Sequence, residues 1–227
     1  MHFLPRKRFA LKALAVVLAS AGMVSVAGAQ DLSAVLAKLD ASAAKFKSAE
    51  ADVLWDAVQT QPIPDSDKQG GTILFARLGS DVEVAIHFKT HNGKPYVKNV
   101  VYANGQGKMY DGDTKQTQTF AAGNNKSALD AFLTLGFGGS GADLQKNWTV
   151  TSQGTEAVNG AQAAKLQLIP KDPAVAKTTP KVILWVDMDK GVGVQQQRFD
   201  TTGNYSMITY SNIKMGAKAP SSAFELK

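Results

Sequence analysis

Residues 73–112 read ILFARLGSDVEVAIHFKTHNGKPYVKNVVYANGQGKMYDG, and this stretch decides the fold. Ile73 and Phe75, then Val82, Val84, Ile86 and Phe88, recur at every second position, the spacing that places side chains on one face of a pleated strand. Gly79-Ser80, Asn92-Gly93, Asn104-Gly105 and Asp111-Gly112 punctuate the stretch. Asn-Gly and Asp-Gly tolerate the positive φ that two-residue hairpins demand. The pattern predicts an antiparallel meander whose later strands cover residues 98–103, 107–110 and 115–121.

Upstream, Ala51, Val53, Trp55 and Ala57 alternate with Asp52, Leu54 and Asp56, predicting a further strand that Pro62 and Pro64 end. Before it, Leu32, Val35, Leu36, Leu39, Ala43 and Phe46 fall at helical spacing, with Asp31 or Ser33 available as N-cap. This amphipathic helix needs an apolar surface to lie on.

Downstream, Leu129, Phe132, Leu133 and Phe137 show no period of two, and Ser127 can cap a helix over 127–137. A glycine-rich joint follows at 136–141. Strands return around 149–153, 163–169, 181–188, 192–199 and 204–213, separated by Asn159-Gly160, Lys190-Gly191 and Thr202-Gly203. The 182–188 run is apolar on both faces, so that strand is expected to be covered on both sides.

Residues 1–29 read as a secretory signal peptide. Arg6, Lys7, Arg8 and Lys12 form a basic start, residues 13–26 are apolar, and Ala27-Gly28-Ala29 supplies small residues for cleavage. The apolar run is too short for a mature membrane span. Four of the 25 basic residues and none of the 19 acidic ones precede Gln30, so the net charge of +6 falls to 21 against 19, or +2. Charges of both signs then intersperse along the chain, which gives no argument for nucleic acid or for an anionic membrane surface; Lys38, Lys45, Lys47 and Lys126 read as solvated positions. The chain has no cysteine. That excludes disulfides, thiolate metal sites and a thiol nucleophile, and leaves Gln30 where a lipidated cysteine would stand. A single domain over 30–227, exported, unanchored and monomeric, is expected.

Catalytic constellations are sparse. His87 and His91 are four apart, a metal-ligand spacing on a helix, but here they lie near a strand end and its turn, which favours surface histidines. Gly136, Gly138 and Gly141 match G-x-G-x-x-G in spacing only. A dinucleotide site needs that motif between a strand and a helix, and a helical segment precedes it here, so a hinge formed by Gly136, Gly138, Gly139 and Gly141 is the better reading. Asp52 with Asp56, and Asp187 with Asp189, are carboxylate pairs of the type glycosidases use; a solvent face or turn accounts for them better. No serine sits in a nucleophile elbow. No cofactor and no enzymatic activity are expected.

A sheet face carrying Val53, Trp55, Ile73, Phe75, Val84, Ile86, Phe88, Leu166 and Leu168 has to be covered, and amphipathic helices are the available cover. Such a sandwich packs solid or encloses an apolar cavity; periodicity leaves both open.

A set of segments spread over 31–224 resembles the periplasmic outer-membrane lipoprotein carrier family, LolA, and its LolA-like relatives. The resemblance rests on Phe46-Lys47-Ser48 ending the first helix and on Gln69-Gly70-Gly71 entering a strand that ends in Arg77. It continues through Gly154-Thr155-Glu156-Ala157-Val158-Asn159-Gly160, Leu166-Gln167-Leu168-Ile169-Pro170-Lys171 and Leu184-Trp185-Val186-Asp187, then Gly203, Asn212-Ile213 and Phe224. It implies a mainly β fold: an incomplete, unclosed antiparallel β-barrel covered by short helices. It further implies an apolar interior that accepts the acyl chains of lipoproteins, with Phe132 and Phe137 joining the face residues as cavity candidates. Partners implied are lipidated proteins, an inner-membrane lipoprotein-releasing transporter and an outer-membrane acceptor. Arg77 falls at the family's functional strand arginine, a latch from the interior to the lid backbone; Leu78 stands where the family commonly has proline. Relatives on this fold also act as receptors, stress regulators and lipid binders, so a sensing module or phospholipid shuttle is the alternative function.

Overall fold

In a computed structural model of the chain, residues 31–79, 81–103, 105–121 and 134–225 are described. Eleven strands form one antiparallel sheet: β1 Ser48–Gln59, β2 Asp65–Leu78, β3 Asp81–His91, β4 Lys94–Ala103, β5 Gln106–Asp111, β6 Gln116–Ala121, β7 Trp148–Val158, β8 Ala161–Pro170, β9 Lys181–Asp187, β10 Val192–Phe199 and β11 Tyr205–Met215. Their order across the sheet is β6-β5-β4-β3-β2-β1-β11-β10-β9-β8-β7. Two meanders, β1–β6 and β7–β11, are therefore joined along a single seam where β1 pairs with β11. The two outermost strands, β6 and β7, do not pair with each other, so the barrel is unclosed, the architecture the resemblance implies.

The turn chemistry follows the sequence. Asn92 and Gly93 have φ of 49° and 78°, and Asn159 and Gly160 have 49° and 81°, the type I′ signature of two-residue hairpins. The Asp111-Gly112 turn is longer. The Asp111 carboxylate accepts backbone N–H bonds from Asp113 and Thr114 at 3.0 Å each, and Lys115 takes a positive φ of 55°, so β6 begins at Gln116 and not at Lys115. β4 begins at Lys94, ahead of the expected start at Lys98, because the tight Asn92-Gly93 turn lets pairing start at once.

Helix α1, Leu32–Lys45, starts where Asp31 accepts a hydrogen bond from the Ser33 backbone at 3.0 Å, and Lys45 in its last turn complements the helix dipole. A 14-residue helix is marginal alone. Its buried Val35, Leu36 and Leu39 pack on Leu166, Leu168, Val182, Leu184 and Val186, and burial of each such side chain contributes about 2 kcal/mol against ordering entropy. Helix α2, Gly141–Asn147, lies beside α1. Ser140 and Asp143 form a reciprocal capping box at its start, and Asp40 of α1 accepts from the Ala142 backbone at 3.2 Å. The helix expected over 127–137 falls mostly outside the described residues. Its described end, 134–138, is turn, and the second helical cover among the described residues is α2. A short α3, Pro173–Ala176, links β8 to β9.

Strand β9 is buried on both faces, as its composition requires. Val182, Leu184 and Val186 meet the α1 side, while Ile183 and Trp185 pack with Val158, Ala163 and Val194 on the other. The outer face of β2–β4 has a smaller cover: Phe224, in a 3-10 turn at Ser221–Phe224, closes over Ala76, Ala85 and Val101. Glu83, opposite Ala76 on that face, is 6% exposed, and burial together with nearby Asp81 raises its carboxyl pKa. A carboxyl raised in the folded state contributes stability while protonated and loses it as the pH climbs through the folded value. Glu83→Gln should therefore raise Tm at pH 7 and leave it unchanged near pH 4, around the unfolded glutamate pKa. Thermal melts at the two pH values check this.

Candidate functional site

Alternation along β1, β2, β3 and β11 aims Val53, Trp55, Ile73, Phe75, Val84, Ile86, Phe88, Ile208 and Tyr210 to the inner face, where they form one cluster with Phe46, Phe137 and Val192. Its centre is aromatic. The Phe75 and Phe137 rings stack with centroids 4.4 Å apart, and Tyr210 meets them edge-on at 6.2 and 5.1 Å. The Tyr210 hydroxyl accepts from Gln196 Nε2 at 2.9 Å, and burial raises its pKa. Trp55, edge-on to Phe88 at 6.3 Å, is only half-buried, as are Ile208 and Val100.

Leu166 and Leu168 belong elsewhere. They lie in a second cluster under α1, with Leu135, Leu144 and Trp148. The structure thus divides the expected cavity set into two halves, and Phe132 lies outside the described residues. The wedge between the halves is the 134–138 turn: Leu135 enters one cluster and Phe137, two residues on, enters the other. Beneath this turn a cavity of about 30 Å³, lined by Leu39, Leu135, Gly136, Leu144, Trp148 and Leu184, has room for about one water. A larger groove of about 480 Å³ opens where the inner face runs out, between Ala57, Gln59, Asp67, Thr179, Arg198 and Tyr205.

Arg77 is an inner-face cation, opposite Val82 of β3. It follows Ile73 and Phe75 in the alternation of β2, and its backbone N–H donates to the Lys47 carbonyl at 2.8 Å. Its guanidinium donates to the Gly138 carbonyl and lies 5.8 Å from the centroid of the Phe46 ring. One side chain therefore ties a strand, the residue that caps α1 and the glycine-rich turn together, and the two contacts satisfy a charge that an apolar face would otherwise penalise. The sequence points to Arg77 but not to Gly138 as its acceptor, since a backbone carbonyl carries no residue signature. Tyr210, also missed, was within reach of the alternation of β11.

The glycines expected as a hinge sit in tight packing. Gly136, with φ 85°, accepts from the Gly193 N–H at 2.9 Å, and a Cβ there would lie 2.5 Å from the Gly193 Cα. A Cβ on Gly141 would lie 2.5 Å from the Leu36 carbonyl oxygen of α1. Gly138 faces Phe46, and Gly139 lies over Thr134.

The histidines are apart in role. His87 pairs with Asn99 at 2.9 Å on the outer side. His91 hydrogen-bonds Asp67, which lowers the Asp67 pKa, and its ring lies 5.1 Å from that of Tyr96. Tyr96 donates to Asp111 at 2.6 Å; burial first, then this bond, pushes the phenol up to about 12 and the same bond draws Asp111 down to about 2. The His91–Asp67 and Tyr96–Asp111 pairs tie neighbouring strands near their ends, and Asp67 also lines the larger groove. Among the described residues no group of three His, Asp or Glu could hold a metal ion, and no helix is long and apolar enough to cross a membrane. Asp52 accepts from Asn212 and Asp56 from Ser66, while Asp187 caps the turn to Lys190, so these carboxylates serve strand and turn hydrogen bonds.

No protein-family model and no curated protein sequence matches the chain. Solved structures do. An uncharacterized conserved protein from Thermus thermophilus aligns at 9% identity over 87% of this chain and 95% of that one, with a TM-score of 0.53. MucB aligns at 16% identity over 88% of this chain, which spans 64% of MucB, with a TM-score of 0.50. A LolA superfamily protein from Nitrosomonas europaea aligns at 12% identity over 86% and 97%, with a TM-score of 0.40. The likeness to the Thermus thermophilus protein and to MucB establishes a shared fold, the unclosed antiparallel barrel under a helical cover.

Proposed function

We propose that this chain is a soluble periplasmic carrier that holds the acyl chains of lipoproteins against its inner face and passes them towards the outer membrane. The observation that carries the reading is the bond from Arg77 to the Gly138 carbonyl, an inner-face cation fastening the glycine-rich turn over an apolar sheet. In this reading Val53, Trp55, Ile73, Phe75, Val84, Ile86, Phe88, Phe137, Leu166 and Leu168 line the space an acyl chain takes once the 134–138 wedge lifts. Gly136, Gly138, Gly139 and Gly141 are its hinge. Loading from an inner-membrane releasing transporter and unloading to an outer-membrane acceptor complete the cycle, and no bond is made or broken.

Energetics favour a latch. Burial of a methylene is worth about 0.8 kcal/mol, so one fully held acyl chain approaches about 10 kcal/mol, and two or three would near the practical ceiling of about 20 kcal/mol. Such cargo could not be handed over. A cover whose own contacts form only when the interior is empty opposes loading and drives release, lowering the net affinity to a usable value.

Removing the latch removes that opposition. A charged hydrogen bond is worth about 1.5–3 kcal/mol, so Arg77→Leu should retain cargo about tenfold or more longer in a transfer assay to an acceptor membrane. Unchanged transfer by a variant with wild-type circular dichroism would sink the latch. The second reading is a sensing module. MucB, on the same fold, was solved in complex with MucA, and a peptide partner captured in place of lipid would favour it.

A further inference from the structure

Six residues spread from 38 to 215 in the sequence meet around one groove of about 390 Å³: Lys38 and Lys45 on α1, Lys47 before β1, Asp189 and Lys190 in the β9–β10 turn, and Met215 closing β11. The charges that intersperse along the sequence are thus gathered by the fold. The groove is framed by backbone. A Cβ on Gly191 would lie 2.7 Å from the Lys38 carbonyl oxygen, so the turn carrying Lys190 sits directly on α1, and the Gly216 N–H donates to the Ser48 carbonyl at 2.8 Å. Lys190 is neutralised by buried Asp187 at 3.3 Å. Lys38, Lys45 and Lys47 are exposed and make no ion pair among the described residues, leaving three cations against Asp189.

We propose that this groove docks the protein on an anionic phospholipid surface, its lysines meeting headgroup phosphates. The chemistry favours a bilayer over an acidic protein. Lysine ammoniums are compact, mobile point charges that suit phosphate without fixed geometry, and the groove is lined by no arginine fork for carboxylates and by no exposed aromatic anchor of the kind protein interfaces use, its one aromatic, Phe46, being buried. Met215, 42% exposed, adds an apolar contact at the rim that can enter the headgroup boundary. The groove also borders Phe46, the ring beside Arg77, so docking takes place next to the contact that fastens the turn. The inference goes beyond the carrier reading and stands without it, because an empty protein would dock equally.

The test is sedimentation of the cargo-free protein, residues 30–227, with vesicles of phosphatidylcholine alone and of phosphatidylcholine with phosphatidylglycerol, at low and physiological salt. Binding is expected only with phosphatidylglycerol and should weaken with salt. Lys45→Gln with Lys47→Gln, at unchanged Tm, should lose about fivefold in partition per lysine near the surface, roughly 25-fold together. Lys94→Gln with Lys115→Gln, at the other end of the sheet, should bind as the wild type does. Equal binding to both vesicles, equal loss from the two variants, or capture by polyglutamate but not by phosphatidylglycerol would each overturn the proposal. Failure of lipoprotein transfer alone would leave it intact.

Discussion

Phe75→Ala is expected to destabilise the protein by about 3–5 kcal/mol, measured as a shift of the urea midpoint at constant m-value. Phe75 is 1% exposed. It stacks on Phe137, meets Tyr210 edge-on and continues the β2 alternation between Ile73 and Arg77, so its removal opens a hole where strand, turn and β11 converge. The surroundings cannot collapse easily, because Tyr210 is held through its hydroxyl by Gln196 and Phe137 by a turn that β10 fastens. The same hole has a functional use. If the inner face takes acyl chains, the variant should bind a small apolar probe more tightly than the wild type while melting earlier, a pairing that simple loss of structure would not give.

Gly136→Ala should cost about 3 kcal/mol by the same measurement. Two physical effects add. A φ of 85° puts a non-glycine residue in the left-handed region at about 1–2 kcal/mol, and the new Cβ would sit 2.5 Å from the Gly193 Cα, forcing a backbone shift of the overpacking kind worth about 1–3 kcal/mol. Gly203→Ala separates them: its φ is 88° with nothing within 4 Å of an added Cβ, so only the torsional part remains. A Gly136 variant no worse than the Gly203 variant would show that the approach to Gly193 is soft. Because the Gly193 N–H bonds the Gly136 carbonyl, the Gly136 variant should also expose the 134–138 turn to protease before the sheet unfolds.

The strands were legible because each one obeys a local rule. Period-two alternation in 73–88 and the Asn-Gly turns at 92 and 159 act within a few residues, and the structure follows them in β2, β3, β4, β7 and β8. The both-faces-apolar run in β9 was equally local. What escaped depends on distant approach. That Leu166 and Leu168 sit beneath α1, while Val53 and Phe75 gather around Phe137, is set by where the helix lands. The Gly141 contact with Leu36, the Gly136 contact with Gly193 and the Arg77 bond to Gly138 all join backbone to backbone or side chain to backbone, and a carbonyl looks the same in every residue. α2 was missed for a different reason: seven residues with only Gly141 and Leu144 buried give too few turns for a helical period to register.

The open seam between β6 and β7 sets how the interior responds to load. A closed barrel has a circumference fixed by strand number and stagger, and widening it means breaking a ladder. Here the eleven strands end in two free margins, one the fully exposed β6 and the other β7, whose pairing with β8 is interrupted beside Gly154. The sheet can flare or coil by small changes of twist spread over all its pairings while every backbone hydrogen bond survives. Girth is therefore not fixed by a closed ladder, and in the carrier reading a guest of uncertain bulk would be met by bending.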